Sequence, residues 1–513
     1  MLDGKIIIEK LIYYAKTFLF LNNLDEIYTR NILLKELKLN EPYNGELDLA
    51  FIKELAVPDS LIDELSDYAL ENNIIQEFEK TNYSAYIMGI LSPKPSEVNT
   101  VFKDLKEKMN IETACSYLYN LSIKNNYIQK TAISKNLKWE AIDGKNTLEV
   151  TINLSKPEKD NKEIAKLLTA PQKSNYPKCL LCKENEGFQG TLTHPSRVNL
   201  RTISLKLGGE DWFVQYSPYL YYDEHCIAIS KNHTPMKITG NSLVKLFDFV
   251  DYFPNYFIGS NASLPIVGGS ILNHEHFQGG KHLMPMHKAS NLKTFNSMEF
   301  PQVEISIINW YNSALRLVSV SRNDIISLGT KIIEKWSDYD DTSCDIFSHT
   351  DGVPHNAVTP IVRKLDDEKY CLEIILRNNR TNEIYPDGIF HSHLEYHNIK
   401  KEGIGIIEVM GLFILPGRLK NQMSQIADIL CGAVEYNEEQ LNSADNPLYI
   451  HRDMIKQLVD ANGSVKDSNA AINIVRDYIN NTCIKVLECT SVFKKDEKGQ
   501  AAFNKFISSI QLN

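Results

Sequence analysis

A chain of 513 residues is longer than one ordinary domain, and 43% hydrophobic with 23% charged residues describes a globular protein with enough apolar material for a sizeable core. A formal charge of -10 excludes a general nucleic-acid binder, which needs a basic face. No run of 18 apolar residues is present to span a bilayer, and nine cysteines, odd in number and mostly scattered, point to a reducing cytoplasm rather than a disulfide framework.

Met1–Lys10 reads as the start of an amphipathic helix and not as a signal peptide, because Glu9 and Lys10 interrupt the apolar run and no small-residue cleavage site follows. Two apolar stripes at helical spacing come next, Leu11, Tyr14, Ala15 and Phe18, then Leu61, Leu65, Tyr68 and Ala69. Ser92-Pro-Lys-Pro-Ser96 breaks the chain before a helical stretch from about 97 to 122. Thr147–Asn153 alternates and predicts a strand. From there to about 415, strands at Trp212–Gln215, Cys226–Ser230, Tyr256–Gly259 and Tyr370–Leu376 are separated by turn residues, with a helix over Ser242–Tyr252. Helical periodicity returns after Pro416, with breaks at Asp445–Pro447 and Asn462–Gly463. The pattern predicts an α+β protein with a helical N-terminal extension (1–145), a mixed middle section of strands, turns and a few helices, and a helical C-terminal region (421–513). Every histidine except His451 lies between 194 and 397, so the chemistry belongs to the middle of the chain.

The most informative segment is Gly268-Gly-Ser-Ile-Leu-Asn-His-Glu-His-Phe-Gln-Gly-Gly280. Residues i and i+2 of an extended segment share a face, which predicts His274, His276 and Gln278 in one row. The flanking glycines let a ligand come close. A neutral imidazole is a good nucleophile near pH 7, and glutamine can hold a phosphoryl oxygen without adding charge. Two structural histidines in a turn would be the plainer reading. Cys179-Leu-Leu-Cys182 can present two sulfurs to one ion, with His233 and His274 as candidates to complete a closed tetrahedral zinc site; a pair of reduced thiols is the alternative. Arg197 and Arg201 carry the forks that suit a pyrophosphate, or they mark a solvated strand edge. Gln215–Tyr222, which includes Tyr216 and Ser217, is dense enough in aromatics for a base-stacking wall or for a core. His391 and His393 repeat the i, i+2 spacing, with Arg377 upstream and Lys400–Gly411 downstream. They read as a second metal site, as sugar-phosphate recognition, or as a polar loop.

Ile258–Gly280 resembles the active-site segment of the galactose-1-phosphate uridylyltransferases, also named UDP-glucose–hexose-1-phosphate uridylyltransferases, in their bacterial second type with an N-terminal helical extension. Gln215–Tyr222, Asp223–Ile227, His355–Lys364, Arg377–Arg380 and Ile404–Leu415 resemble the same family, and the likeness continues more weakly into both helical ends. The resemblance implies two histidine-triad-like halves, each an antiparallel sheet with helices, residues 146–300 binding the nucleotide and 301–420 on the hexose-phosphate side. It implies ping-pong exchange of UMP between UDP-glucose and galactose 1-phosphate, with His276 as nucleophile and Gln278 steadying the uridylyl oxygens. Cys179, Cys182, His233 and His274 fall on the family's structural zinc ligands, and no organic cofactor is implied. Arg197, Arg201, Tyr216, Ser217, Asn261, Gly269, Ser270 and Arg377 are the expected substrate contacts, together with Lys401 and Glu408, placed to within a residue or so. A cytoplasmic enzyme that touches neither nucleic acid nor membrane, and a homodimer as is typical of the relatives, complete the expectation. This chain departs from the family's first type in having Glu275 for a proline, Phe277 for a glycine, and Ser270 four residues instead of three before the first histidine. The alternatives are a dinucleoside-polyphosphate phosphorylase or adenylyltransferase of the same superfamily, and a silent zinc-stabilised nucleotide-sugar-binding protein.

Overall fold

The computed structural model describes residues 2–155, 175–191, 194–463 and 465–511. These gather into two compact units drawn from interleaved stretches of chain. The first takes its residues from 1–135, 158–234 and 274–280, the second from 136–157, 235–273 and 281–513.

The first unit opens with helices that follow the apolar stripes. In Gly4–Phe18 the side chain of Asp3 accepts the Lys5 N–H at 2.9 Å and so caps the first turn. Leu11, Tyr14 and Ala15 are fully buried on its inner face. Asp59–Glu71 buries Leu61, Leu65, Tyr68 and Ala69, as their spacing requires. The helical stretch expected from about 97 to 122 is helical and holds two helices, Pro95–Lys108 and Ile111–Lys124. Asn110 divides them: its backbone is extended and its side chain accepts the Thr113 N–H at 2.8 Å, starting a new helix. Apolar periodicity runs on across the break, which is why the sequence reads as continuous. Four antiparallel strands complete the unit, in the order Ile203–Leu207, Glu210–Tyr216, Cys226–Ser230 and His276–Gly280. Helix and strand entry are tied by two buried asparagines, Asn125 Nδ2 donating to Asn199 O at 2.6 Å and Asn199 Nδ2 to Asn125 O at 3.0 Å.

The second unit is built on six antiparallel strands in the order Phe257–Gly259, Asn356–Lys364, Tyr370–Asn378, Ala314–Ser319, Glu304–Ile308 and Asn291–Phe295. Helices Gly240–Tyr252 and Arg322–Ser337 lie on this sheet and on each other. A Cβ at Gly329 would come within 2.7 Å of Leu372 and 2.9 Å of Leu243, so the missing side chain sets how closely the second helix approaches. A separate sheet pairs Leu137–Asp143 with Asn146–Asn153, and Leu412–Pro416 joins it in parallel. The boundary expected at residue 145 therefore falls inside a hairpin turn. Leu137–Asp143 is mostly exposed and shows too little apolar alternation to announce itself as a strand. Helices Leu419–Leu430, Arg452–Asn462, Ser468–Thr490 and Glu497–Ser509 follow to the C-terminal side, in line with the helical period there. The architecture is α+β, as predicted. All nine cysteines are free, and among the described residues no helix is long and apolar enough to cross a membrane.

Candidate active site and metal-binding group

Two features of the first unit position the candidate chemistry, and both come from the short segment His274–Gly280. His274 lies in the bend just before the strand, where Glu275 N–H donates to Thr234 O at 2.7 Å and Ser230 N–H donates to Glu275 O at 3.0 Å. The expected row of three is thus a row of two. His276 and Gln278 share one face of the strand, while His274 turns its ring toward the cysteine pair.

Four ligand atoms gather there: Cys179 Sγ, Cys182 Sγ and the ring nitrogens of His233 and His274 all lie within 4.8 Å of one another. Cys182 Sγ is 3.1 Å from His233 Nδ1, Cys179 Sγ is 3.3 Å from His274 Nδ1, and the two sulfurs are 3.6 Å apart. His274 Nε2–H donates to Ser230 O at 2.8 Å, which leaves its Nδ1 bare toward the sulfurs. Asn185 holds the cysteine turn from beneath, its Nδ2 donating to Cys179 O at 2.8 Å and Cys182 O at 2.9 Å. Burial pushes the Cys182 thiol up to about 11, so its thiolate needs a cation beside it. Two sulfurs and two imidazoles at these separations fit one tetrahedral metal ion. The group could hold such an ion by its donor chemistry as well as its spacing.

His276 is 6% exposed, and its Nδ1–H donates to the carbonyl of His274 at 2.8 Å. That bond assigns the tautomer and leaves Nε2 with a free lone pair. Burial lowers the ring to about 4, so it is neutral near pH 7. Phe277 points the other way and stacks on Trp212, centroids 4.8 Å apart and planes 16° from parallel. This accounts for a large apolar residue between the two polar ones: the opposite face of the strand has a tryptophan to cover. Gln278 is half-buried, with Oε1 3.2 Å from His225 Nε2. Sequence reasoning missed His225. Its only signal lay in the Asp223–Ile227 block, and its partner stands 53 residues downstream on an adjacent strand.

Other predicted residues of this unit have different employment. Arg201 is 6% exposed and its guanidinium is held by backbone carbonyls, Pro93 O at 2.5 Å, Val198 O at 2.8 Å, Leu200 O at 2.7 Å and Gly89 O at 3.1 Å. This corrects its assignment to a phosphate; it clamps the turn between two helices and the strand entry. Tyr216 is also a core residue, its hydroxyl donating to Cys115 O at 3.2 Å and its ring edge-on to Tyr119. Ser217 is buried and its Oγ accepts from Tyr219 N–H at 3.4 Å. Arg197 stacks over Tyr127 at 5.6 Å and, with Lys80, Asn82, Ser196 and Asn199, lines a polar pocket that takes no lining residue from His276–Gly280.

In the second unit, Asn261 Oδ1 accepts the Ile406 N–H at 2.8 Å, and a Cβ at Gly269 would sit 2.7 Å from Asn261 Nδ2, so only glycine leaves that amide in place. Ser270 is exposed. Arg377 is fully buried, donates from Nη2 to Ile404 O at 2.9 Å, and has Nε and Nη1 without a partner among the described residues. Glu408 accepts from Gly405 N–H at 3.2 Å and from Lys400 Nζ at 3.0 Å. Lys400, 4% exposed, is the lysine paired with Glu408, while the neighbouring Lys401 is exposed. The chain turn from Ile399 onward buries the first of the two adjacent lysines. His391 Nε2 accepts the Ile404 N–H, and His393 is stacked on Tyr385 at 4.1 Å with Nδ1 3.5 Å from Cys489 Sγ. The two rings do not converge, which corrects the second-metal reading. Among the described residues the cysteine–histidine group is the one cluster suited to a metal.

A neutral ring with one free nitrogen, an amide on the same face and a nearby group that could hold a metal are the parts a nucleotidyl-transfer centre would need. The galactose-1-phosphate uridyl transferase family matches in two consecutive parts, its N-terminal domain over residues 21–235 and its C-terminal domain over 249–442, and the chain belongs to that family. It is 45% identical to a galactose-1-phosphate uridylyltransferase of Caldanaerobacter subterraneus subsp. tengcongensis, over 99% of this chain and 98% of that one. Identity to the enzymes of the same name from Fusobacterium nucleatum and Clostridium perfringens is 43%, over 98% of both chains in each case. Among solved structures, yeast Ap4A phosphorylase Apa2 aligns with a TM-score of 0.33 and 11% identity, over 58% of this chain and 87% of that one, a likeness too distant to bear on activity.

Proposed function

We propose that this chain exchanges UMP between UDP-glucose and galactose 1-phosphate through a covalent intermediate on His276. The observation that carries the reading is the bond from His276 Nδ1–H to His274 O. It leaves Nε2 as the ring's one available lone pair and keeps a proton on the far nitrogen to be shared with a carbonyl when the ring becomes charged. The Nε2 pair attacks the α-phosphorus of UDP-glucose and the phosphorus–oxygen bond to glucose 1-phosphate breaks, its electrons leaving on the sugar phosphate. The ring then carries UMP and a positive charge, stabilised by the same Nδ1–H bond. A phosphate oxygen of galactose 1-phosphate attacks next, the phosphorus–nitrogen bond breaks, and the ring regains its lone pair. Gln278, on the same face, holds the phosphoryl oxygens in both steps.

Cys179, Cys182, His233 and His274 suit zinc, which favours tetrahedral sulfur–nitrogen sets and fills its coordination sphere in structural sites. Bound there, zinc supplies rigidity: it anchors His274, whose carbonyl fixes the ring of His276. Arg377 and Glu408 are proposed to recognise a phosphorylated hexose, the first through its unpartnered N–H groups and the second through sugar hydroxyls, with Lys400 holding Glu408 in place. Asn261, Gly269 and Ser270 belong to the same proposal, Asn261 and Gly269 through the close approach described above. Initial-rate kinetics test the scheme. Double-reciprocal plots should be parallel, and labelled glucose 1-phosphate should exchange into UDP-glucose with no galactose 1-phosphate present. Intersecting plots without exchange contradict it, and exchange seen with adenine dinucleotides but not UDP-glucose would transfer the reading to adenylyl chemistry.

A further inference from the structure

Gln278 assists phosphoryl transfer only with its amide nitrogen toward the oxygens that gain negative charge; the amide oxygen in that place would repel them. The two ends of a glutamine amide are close to the same size, so a neighbour has to choose between the orientations. His225 stands where that choice is made. It immediately precedes the strand Cys226–Ser230, whose register sets Ile227 opposite Gln278, and its Nε2 lies 3.2 Å from Gln278 Oε1. The ring is 2% exposed and lies between Tyr222, with centroids 4.5 Å apart, and Tyr221 at 5.6 Å. Its backbone is fixed as well, since its N–H donates to Tyr222 O at 3.2 Å and its carbonyl accepts from Ser217 N–H at 2.7 Å.

Nδ1 of His225 has no hydrogen-bond partner among the described residues. A buried N–H without an acceptor is rarer and costlier than a bare ring lone pair. The single proton of a neutral ring therefore belongs on Nε2, where Gln278 Oε1 is in reach. Burial lowers this histidine to about 4, so the ring stays neutral near pH 7.

We propose that His225 is a positioning residue whose Nε2–H donates to Gln278 Oε1 and thereby turns the Gln278 amide N–H groups toward the transferred phosphoryl group. The proposal rests on the role of Gln278 stated above. The test is steady-state kinetics of UMP exchange for single and double variants. His225→Phe keeps the ring and removes the donor; it should lower kcat about 10- to 100-fold with KM for UDP-glucose changed less than about 3-fold, as for loss of a donor that acts in the transition state. His225→Gln puts an N–H close to the lost position and should restore kcat to within roughly 5-fold of the parent. In a Gln278→Ala background, adding His225→Phe should cost less than about 2-fold, because the two side chains act as one unit. Equal impairment of the Phe and Gln variants, multiplicative losses in the double variant, or a loss confined to KM would each overturn the proposal. Full activity of Gln278→Ala would remove the role of Gln278 itself; an impaired Gln278→Ala beside an unimpaired His225→Phe would remove only that of His225. If His225→Phe does not fold, His225→Gln against His225→Asn makes the same comparison, since asparagine is one bond too short to reach Oε1. Equal rates for that pair overturn the proposal.

Discussion

Arg201 shows how one side chain changes meaning between sequence and structure. An arginine four residues from another suggested an anion site, yet its fork is filled by carbonyls of the turn it holds. No spacing rule distinguishes an arginine that binds phosphate from one that binds a peptide turn, because both need the same donors. Arg201→Lys should destabilise the protein by about 3 kcal/mol through lost charged hydrogen bonds, with KM for UDP-glucose unchanged in the folded fraction. Urea denaturation and kinetics on one preparation check this, and a raised KM with unchanged stability would return Arg201 to the substrate. Phe277 makes the complementary case. It is 1% exposed and its ring covers Trp212, so Phe277→Ala should cost about 3–5 kcal/mol in the same denaturation experiment. A cost below about 1 kcal/mol would mean that the strand is not anchored through its far face.

At the scale of elements, the strand His276–Gly280 and the bend before it do two jobs within seven residues. The motif was legible because period-two geometry sets His276 beside Gln278 whatever the rest of the chain does. The metal-binding group was legible in its donors, since two cysteines three apart and two later histidines have few other uses together. What the sequence did not carry was register: His225 beside Gln278, and Lys400 instead of Lys401 beside Glu408, depend on which strand or turn falls next to which. The coupling of bend to strand predicts that Cys182→Ser reduces bound metal from about one ion per chain to a trace and lowers Tm, with activity falling in parallel. Metal analysis and thermal melts check it. Full metal content in that variant would contradict the ligand set.

For the whole molecule, helices and strands were mostly readable from apolar periodicity, whereas the interleaving of the two units was not. A strand that leaves one unit to pair in the other has the same alternation as one that stays at home. The helical C-terminal region is tied to the rest of its unit through a buried histidine. His451 is fully buried, with Nε2 3.1 Å from Gln422 Oε1 and Nδ1 3.4 Å from Asn398 Nδ2, and burial together with the Arg418 charge lowers it to about 4. An unfolded histidine takes up its proton near pH 6.5. Acidification therefore favours the unfolded chain first: the stabilisation is whole above about pH 6.5, and it is lost as pH falls from there toward about 4, by about 2 kcal/mol at pH 5. Unfolding free energies from denaturant titrations at pH 7 and pH 5 should differ less in His451→Gln than in the parent by that amount. An equal pH dependence in the two proteins would show that His451 titrates normally in the folded state.

In the proposed reaction one ring nitrogen, His276 Nε2, carries UMP midway through each turnover. The direct measurement is peptide mapping by mass spectrometry after incubation with UDP-glucose alone, followed by addition of galactose 1-phosphate. Acid-labile, base-stable UMP should appear on the peptide that contains His276, be absent from His276→Gly and be discharged as UDP-galactose when the second substrate is added. Turnover with no nucleotide on the protein, or UMP bound equally well by His276→Gly, would contradict it.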